Sequence, residues 1–243
     1  MSSLTVNMAK RVICKAVGST IPEIQVVERV LRSKPTQLAL VELYRRSQSE
    51  HSRNGKCTME IGSSREKDLV SVLMLDLGAS VCAEIDNSAL EDVRIGTQLF
   101  SIKHITGAVG TGSIKAKWTA DADQARAFVA GSLAAEHVHP HILLSYLDVK
   151  SGKLTLCCVE SMRCTEVIHS LGIDAFKVAV GTNNRGVEYS RQAIQAFVTG
   201  CAFCIEVDGI DFLGGLDPYQ RRMDEIRRFR EEMAHKAGDE VPE

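Results

Sequence analysis

The sequence holds 243 residues, 44% of them hydrophobic and 25% charged, with a formal net charge of −2. That length suits one large domain, or one domain carrying a helical subdomain, and the composition excludes disordered, fibrous and membrane classes. A nearly balanced charge neither supports nor excludes nucleic acid as a partner, so any affinity for DNA has to come from a locally basic surface.

No basic segment followed by an apolar run and a small-residue cleavage site opens the chain, and no apolar stretch approaches the ~18–20 residues that cross a bilayer. The expected location is the cytoplasm, with no membrane partner. The eight cysteines fall mostly inside apolar runs such as Leu154–Val159, where a reduced thiol behaves as a small hydrophobe, and they are expected to be free.

In chain order, residues 1–56 read as a helical N-terminal section: Thr5–Val17, Ile21–Leu31, and Thr36–Ser47 opening after Pro35. A polar stretch, Ser47–Lys56, reads as a linker or a loop near a ligand. Residues 57–243 then read as the main domain. A Ser63-Ser64 cap precedes a helix over Arg65–Leu77, whose Leu69, Val70, Leu73 and Leu77 recur at helical spacing. Val81–Ile85, Asp92–Ile95, Leu99–Ile105 and Ser113–Trp118 alternate as short strands, and Ala122–Ala134 returns to helix. Ile142–Asp148 and Lys153–Val159 form a hairpin through Lys150-Ser151-Gly152. Met162–Leu171 and Ser190–Thr199 are predicted helices, Phe176–Val180 and Cys201–Val207 strands, and Pro218–Lys236 a charged closing helix. The expected fold class is α+β, a mixed central sheet flanked by helices.

Gly96-Thr97 suits a tight two-residue hairpin turn with glycine at its first central position. Leu90–Ile95 and Gln98–His104 then pair antiparallel, with Asp92 opposite Ser101 and Lys103 two residues further along the same face. Val93, Ile95, Phe100 and Ile102 fall on the reverse face. One side is core; the other presents a carboxylate, a hydroxyl and an amine. An exposed hairpin with a surface ion pair gives the same pattern. Glu66, however, lies on the apolar stripe of the preceding helix, and an acid carried toward the sheet needs a partner. A metal ion or Lys103 could serve, or Glu66 stabilises the helix dipole from the first turn.

These residues resemble the type II restriction endonucleases of the PD-(D/E)xK superfamily. The resemblance spans roughly Gly62 to Ser190 and rests on Ser64–Leu69, Glu91-Asp92, Ser101-Ile102-Lys103-His104, Ile114–Thr119 and Asn183–Glu188. It implies that Asp92, on the first hairpin strand, binds Mg²⁺, that Ser101 and Lys103 occupy the (D/E)xK segment, and that the Ile102 carbonyl is a further ligand. Two departures stand out: no proline precedes Asp92, and Ser101 replaces the second acid, as in an SxK variant. Glu66 is the candidate for the missing carboxylate, with Glu84 second. Phosphodiester hydrolysis calls for such a set: a hard cation on oxygen ligands, plus a positive group near the nucleophile. Asp92 and Glu66 would hold Mg²⁺, Lys103 would position or help deprotonate the attacking water, and Ser101 could hold a water at the metal.

Other signals carry less. Asp148-Val149-Lys150 is a literal DxK, but it sits at a solvent-facing turn with no acid-bearing strand before it. His137, His139 and His141 alternate, yet Pro140 interrupts them and no acid or cysteine completes a zinc site. Cys201-x-x-Cys204 lacks a second pair, and Gly107–Gly112 lacks the lysine and helix of a phosphate-binding loop. DNA contacts are expected from Lys115 and Lys117, alternating on one strand, for phosphates, and from Asn183, Asn184 and Arg185 for base edges. The resemblance implies Mg²⁺-dependent cleavage of double-stranded DNA at a short specific site, leaving 5′-phosphate ends, by a homodimer. A repair or recombination nuclease of the same fold, or a non-catalytic DNA-binding module, are the alternatives.

Overall fold

The computed structural model describes residues 13–53, 56–57, 60–78, 81–84, 91–134, 137–178, 186–210 and 218–237. Helices α1 (Pro22–Arg32), α2 (Lys34–His51) and α3 (Glu60–Leu77) flank two short paired strands, β1 (Ser52–Arg53) and β2 (Lys56–Cys57). Strands β3 (Cys82–Glu84), β4 (Val93–Ile95), β5 (Gln98–Thr106) and β6 (Ile114–Lys117) precede helix α4 (Ala122–Leu133). Strands β7 (His141–Asp148) and β8 (Lys153–Val159), helix α5 (Ser161–Leu171), strands β9 (Phe176–Val178) and β10 (Val187–Tyr189), helix α6 (Arg191–Thr199), strand β11 (Phe203–Val207) and helix α7 (Pro218–Ala237) complete the order.

Six strands form the central sheet in the order β11-β8-β7-β5-β4-β3. Every pairing in it is antiparallel except β5 with β7, which run parallel through Phe100↔His141 to Thr106↔Leu147. The sheet is therefore mixed, as the strand pattern predicts. A three-stranded sheet, β6-β10-β9, stands apart from it. No helix among the described residues is long and apolar enough to cross a membrane.

Alternation along the strands divides the core into two layers. On one face Phe100, Ile102, Leu143, Leu147, Leu154 and Leu156 pack against Ile24, Val27 and Leu31 of α1, Leu40 and Tyr44 of α2, and Leu69 and Leu73 of α3. On the other, Ile142, Leu144, Tyr146, Cys157 and Val159 meet Phe128 of α4, Val167 and Ile168 of α5, and Ile194 and Phe197 of α6. Helices α1 and α2 thus share a core with the strands that carry the hairpin. Cys14, Cys82, Cys157, Cys158, Cys164, Cys201 and Cys204 are free thiols, and the Sγ atoms of Cys14 and Cys201 lie 3.4 Å apart.

Three local expectations are corrected. Residues 13–17 are not helical: Ala16 bridges Cys201 in parallel, and Lys15 N donates to Val198 O at 3.0 Å, so the segment is held as an extended edge; residues 1–12 lie outside those described. The polar stretch after Ser47 is not a loop at its start. Helix α2 runs to His51 because Ser47 is buried, its single hydroxyl proton within reach of two acceptors, Asp68 Oδ2 (2.9 Å) and Leu43 O (3.1 Å). Nor do Ser63 and Ser64 cap α3, which already starts at Glu60; Ser64 Oγ pairs instead with Ser47 Oγ at 3.3 Å, tying α2 to α3.

Gly96 takes a positive φ of 58° in the hairpin turn, and a Cβ there would come within 2.9 Å of Glu23 Oε1, itself the acceptor for Thr97 Oγ1 at 3.0 Å. Gly96→Ala is expected to cost about 1–2 kcal/mol, the usual penalty for a side chain in the left-handed region. Urea unfolding monitored by circular dichroism measures it, and an unchanged midpoint would show that the turn yields at no cost.

Candidate active site

The hairpin has the register its sequence predicts: Val93↔Phe100, Arg94↔Leu99 and Ile95↔Gln98. Asp92 N donates to Phe100 O at 2.9 Å, which sets Asp92 beside Ser101. Val93, Ile95, Phe100 and Ile102 are all buried on the far face. Three donors converge on one oxygen of Asp92: Ile102 N at 2.6 Å, Lys103 Nζ at 2.9 Å and Ser101 Oγ at 3.1 Å. Lys103 Nζ also donates to the Ile102 carbonyl at 3.0 Å.

Strand lengths explain why these groups meet. The amide and carbonyl of a strand residue point to the same edge, and Phe100 faces β4. Ile102 and His104, two and four residues on, face that edge as well, but β4 spans only Val93–Ile95, and among the described residues no backbone group pairs with them there. A peptide N–H withdrawn from water has to be satisfied. Asp92 Oδ2 takes the amide of Ile102, and Glu66 Oε1, reaching over from α3, takes the amide of His104 at 3.1 Å. Successive edge amides on a strand are about 7 Å apart, so the two carboxylates stand next to each other along β5. The Ile102 carbonyl lies between them.

The electrostatics differ at the two acids. Lys103 and Asp92 are 22% and 38% exposed, so their ion pair is partly screened and contributes little to stability, under about 1 kcal/mol. Burial pushes the Glu66 carboxyl above its ordinary value of 4.5, and the Asp92 charge pushes the same way, while Lys103 and the His104 amide pull it back. Among the described residues, Asp92 Oδ1 and Glu66 Oε2 accept no hydrogen bond. Two carboxylates with spare oxygens and a carbonyl fit a small hard cation, which takes one or two carboxylates and draws its remaining ligands from water and substrate phosphate. No cluster of three or more His, Cys, Asp or Glu among the described residues could form a closed metal cage. Glu84 lies opposite Val93 at the other side of β4, one strand further from Lys103.

Of the residues expected to touch DNA, Lys115 and Lys117 lie on β6, whose partner β10 pairs Val187 with Lys117 and Glu188 with Lys115. Lys115 Nζ is 3.5 Å from Glu188 and 4.2 Å from the Trp118 ring centroid, and Glu188 also accepts from Ser113 Oγ. Lys117 Nζ sits over the Phe128 ring. Lys115 lines one small cleft with Ser101, Lys103, His139 and Tyr189, which brings β6 alongside the hairpin face. Asn183, Asn184 and Arg185 lie outside the described residues; the strand that follows them, β10, is the one zipped to the two lysines. The set-aside motifs keep their modest roles: Asp148 Oδ1 accepts from Lys150 N and Ser151 N in a turn, and His141 bonds Gln98 Oε1 and Ser161 N.

Sequence reasoning missed the polar groups behind Glu66. Arg65, fully buried, donates to His104 Nε2 at 2.9 Å and to Gln48 Oε1 at 2.6 Å. Burial and the Arg65 cation beside it hold the His104 imidazole well below its ordinary pKa, so the ring is neutral. The one available signal was adjacency: Arg65 directly precedes Glu66 and His104 directly follows Lys103.

The family model described as "Restriction endonuclease ThaI" matches residues 23–209, well over half of the chain. Curated proteins yield no match. Among solved structures, "Restriction endonuclease in complex with substrate DNA" is similar, with a TM-score of 0.61 and 25% identity, covering 84% of this chain and 95% of the other.

A raised carboxyl pKa in the fold means that the native state holds the Glu66 proton more tightly than the unfolded chain, so this group's contribution to stability declines as the pH rises through its titration. In metal-free buffer, Glu66→Gln, which keeps an acceptor for the His104 amide, is expected to melt no lower than the native protein at pH 8. That advantage should narrow as the pH falls toward 4.5, the ordinary glutamate value. A native protein that melts higher than the variant at pH 8 would show that attraction to Lys103 outweighs burial.

Proposed function

The chain belongs to the ThaI restriction endonuclease family, a type II enzyme that cuts DNA at a specific sequence, and from that premise we propose that Asp92, Glu66, Lys103 and Ser101 form its cleavage site with Mg²⁺ as the metal. The observation that carries this reading is the pair of carboxylates moored to consecutive edge amides of β5, with the Lys103 ammonium bonded to one of them.

Each group has a part in hydrolysing a phosphodiester. Asp92 and Glu66 would hold the cation, with the Ile102 carbonyl between them as a further oxygen ligand. A bound Mg²⁺ supplies Lewis acidity toward the phosphate and a more acidic water. Lys103 holds a positive charge beside Asp92, where it can orient the attacking water by hydrogen bonding and stabilise the extra negative charge on the phosphoryl oxygens. Ser101 is only 5% exposed and its hydroxyl already bonds Asp92, so it aims that carboxylate rather than replacing a second acid. The water attacks phosphorus and the bond to the 3′ oxygen breaks, leaving the phosphate on the 5′ end.

Lys115 and Lys117 would neutralise backbone phosphates next to this edge, and Asn183, Asn184 and Arg185 would read base edges. A homodimer fits an enzyme that reads a two-fold symmetric site, each copy cutting one strand. Function in the cytoplasm agrees with the free thiols of Cys82, Cys157, Cys158 and Cys164.

Plasmid incubated with the protein and Mg²⁺ is expected to give discrete bands, and none with chelator. Asp92→Ala and Lys103→Ala should each lower the cleavage rate by at least about 10²-fold while binding to the same DNA persists. Wild-type rates in either variant would refute the site. Lys115→Ala should weaken binding evenly across DNA sequences and flatten the dependence of log affinity on log salt by about 0.9, the share of one phosphate contact. An unaltered slope would remove Lys115 from the DNA interface.

A further inference from the structure

His104 is held at two points. Its backbone N–H donates to Glu66 Oε1 at 3.1 Å, and its ring is gripped from inside the core. A guanidinium only donates, so His104 Nε2, 2.9 Å from Arg65 Nη1, is an acceptor. In a neutral imidazole the proton then sits on Nδ1, which faces Ser145 Oγ at 3.2 Å. Ser145 Oγ lies 3.0 Å from the Tyr44 hydroxyl. Arg65 returns to the same tyrosine, donating to the Tyr44 carbonyl at 3.4 Å with its guanidinium 5.6 Å from the ring centroid, and it also bonds Gln48 Oε1 at 2.6 Å. Four elements, α2, α3, β5 and β7, thereby converge on one imidazole.

This polar knot is costly where it stands. Ser145 interrupts the apolar series of β7 between Leu143 and Leu147, Arg65 has no exposed surface, and both face a layer built mainly of aliphatic and aromatic side chains. Well-packed apolar residues would serve stability as well or better. Its position differs from that of a structural filler: Arg65 is the residue before Glu66, and His104 is the residue after Lys103. A shift in the ring moves the one amide that holds the Glu66 carboxylate and the peptide that carries Lys103.

We propose that Arg65 is a positioning residue of the cleavage site, clamping the His104 side chain so that the His104 peptide fixes the Glu66 carboxylate against the metal-binding edge of β5. This rests on Glu66 being a metal ligand. Arg65 touches neither metal nor DNA in this role; it acts through His104. Loss of such supporting contacts around a metal site commonly costs about 10–100-fold in metal affinity or activity. Lysine at position 65 keeps the charge but supplies no planar fork able to reach His104 and Gln48 together.

Mn²⁺ titration of the full chain, followed by electron paramagnetic resonance, tests this alongside the Mg²⁺ dependence of single-turnover cleavage. Arg65→Lys is expected to fold, to bind DNA as the native protein does, to weaken Mn²⁺ binding by about 10–100-fold, and to raise the Mg²⁺ concentration for half-maximal cleavage by a similar factor. High Mg²⁺ should restore most of the rate, which a globally loosened fold would not allow. Should Arg65→Lys fail to fold, His104→Gln carries the test, since glutamine still offers Arg65 an acceptor but not the Ser145 link; the same loss of Mn²⁺ affinity is expected. Native Mn²⁺ affinity in the folded variant, while Glu66→Gln loses it, overturns the positioning role and leaves the cleavage site standing. Native affinity in Glu66→Gln removes Glu66 from the metal and the positioning role with it.

Discussion

Strand β5 is longer than β4, and the candidate site follows from that mismatch. Two peptide amides, those of Ile102 and His104, face an edge where no backbone group among the described residues pairs with them. Both are satisfied by carboxylates, one from the residue that ends the hairpin pairing and one from a helix packed over the sheet. Buried amides rarely go without a partner. Here the requirement is met by acids, and meeting it places two anionic oxygens and a carbonyl in a row beside an ammonium.

That solution opposes stability in an instructive way. Glu66 would be easier to protonate than an exposed glutamate, because desolvation exceeds the help it receives from Lys103. Lys103 cannot fully neutralise both acids, since its ammonium is bonded to Asp92 and to the Ile102 carbonyl. The unrelieved negative charge is a natural seat for a hard cation, and the ThaI restriction endonuclease family to which the chain belongs cuts DNA. The same partial exposure that makes the Asp92 to Lys103 pair weak as a stabilising contact leaves it open to a phosphate.

In the proposed function the two sheets divide the labour. The six-stranded sheet is clamped between helical layers, and two amides of its strand β5 bond the carboxylates, Asp92 from the hairpin and Glu66 from α3. The smaller β6-β10-β9 sheet carries Lys115 and Lys117, and its central strand follows directly on the segment with Asn183, Asn184 and Arg185. On the proposed assignment, a cleavage site beside a separate set of DNA contacts suits an enzyme that must read DNA before cutting it.

The hairpin was legible from residues 92–103 alone, because Gly96-Thr97 admits one turn geometry and a period of two then assigns every side chain to a face. The apolar stripe of α3, with Glu66 on it, was legible for the same kind of reason at period 3.6. The end of α2, the start of α3 and the extended path of residues 13–17 were not. Ser47 and Ser64 look like punctuation in isolation and become interior helix positions once they bond to Asp68 and to each other. Local order thus determined which face of the hairpin carries Asp92, Ser101 and Lys103. Only the tertiary structure decided that β4 stops short, that Glu66 reaches the amide left bare by it, and that Arg65, Tyr44 and Ser145 close around His104. Those contacts join residues from 38 to 101 positions apart, where periodicity carries no information and unmet hydrogen bonds in the packed interior select the partners.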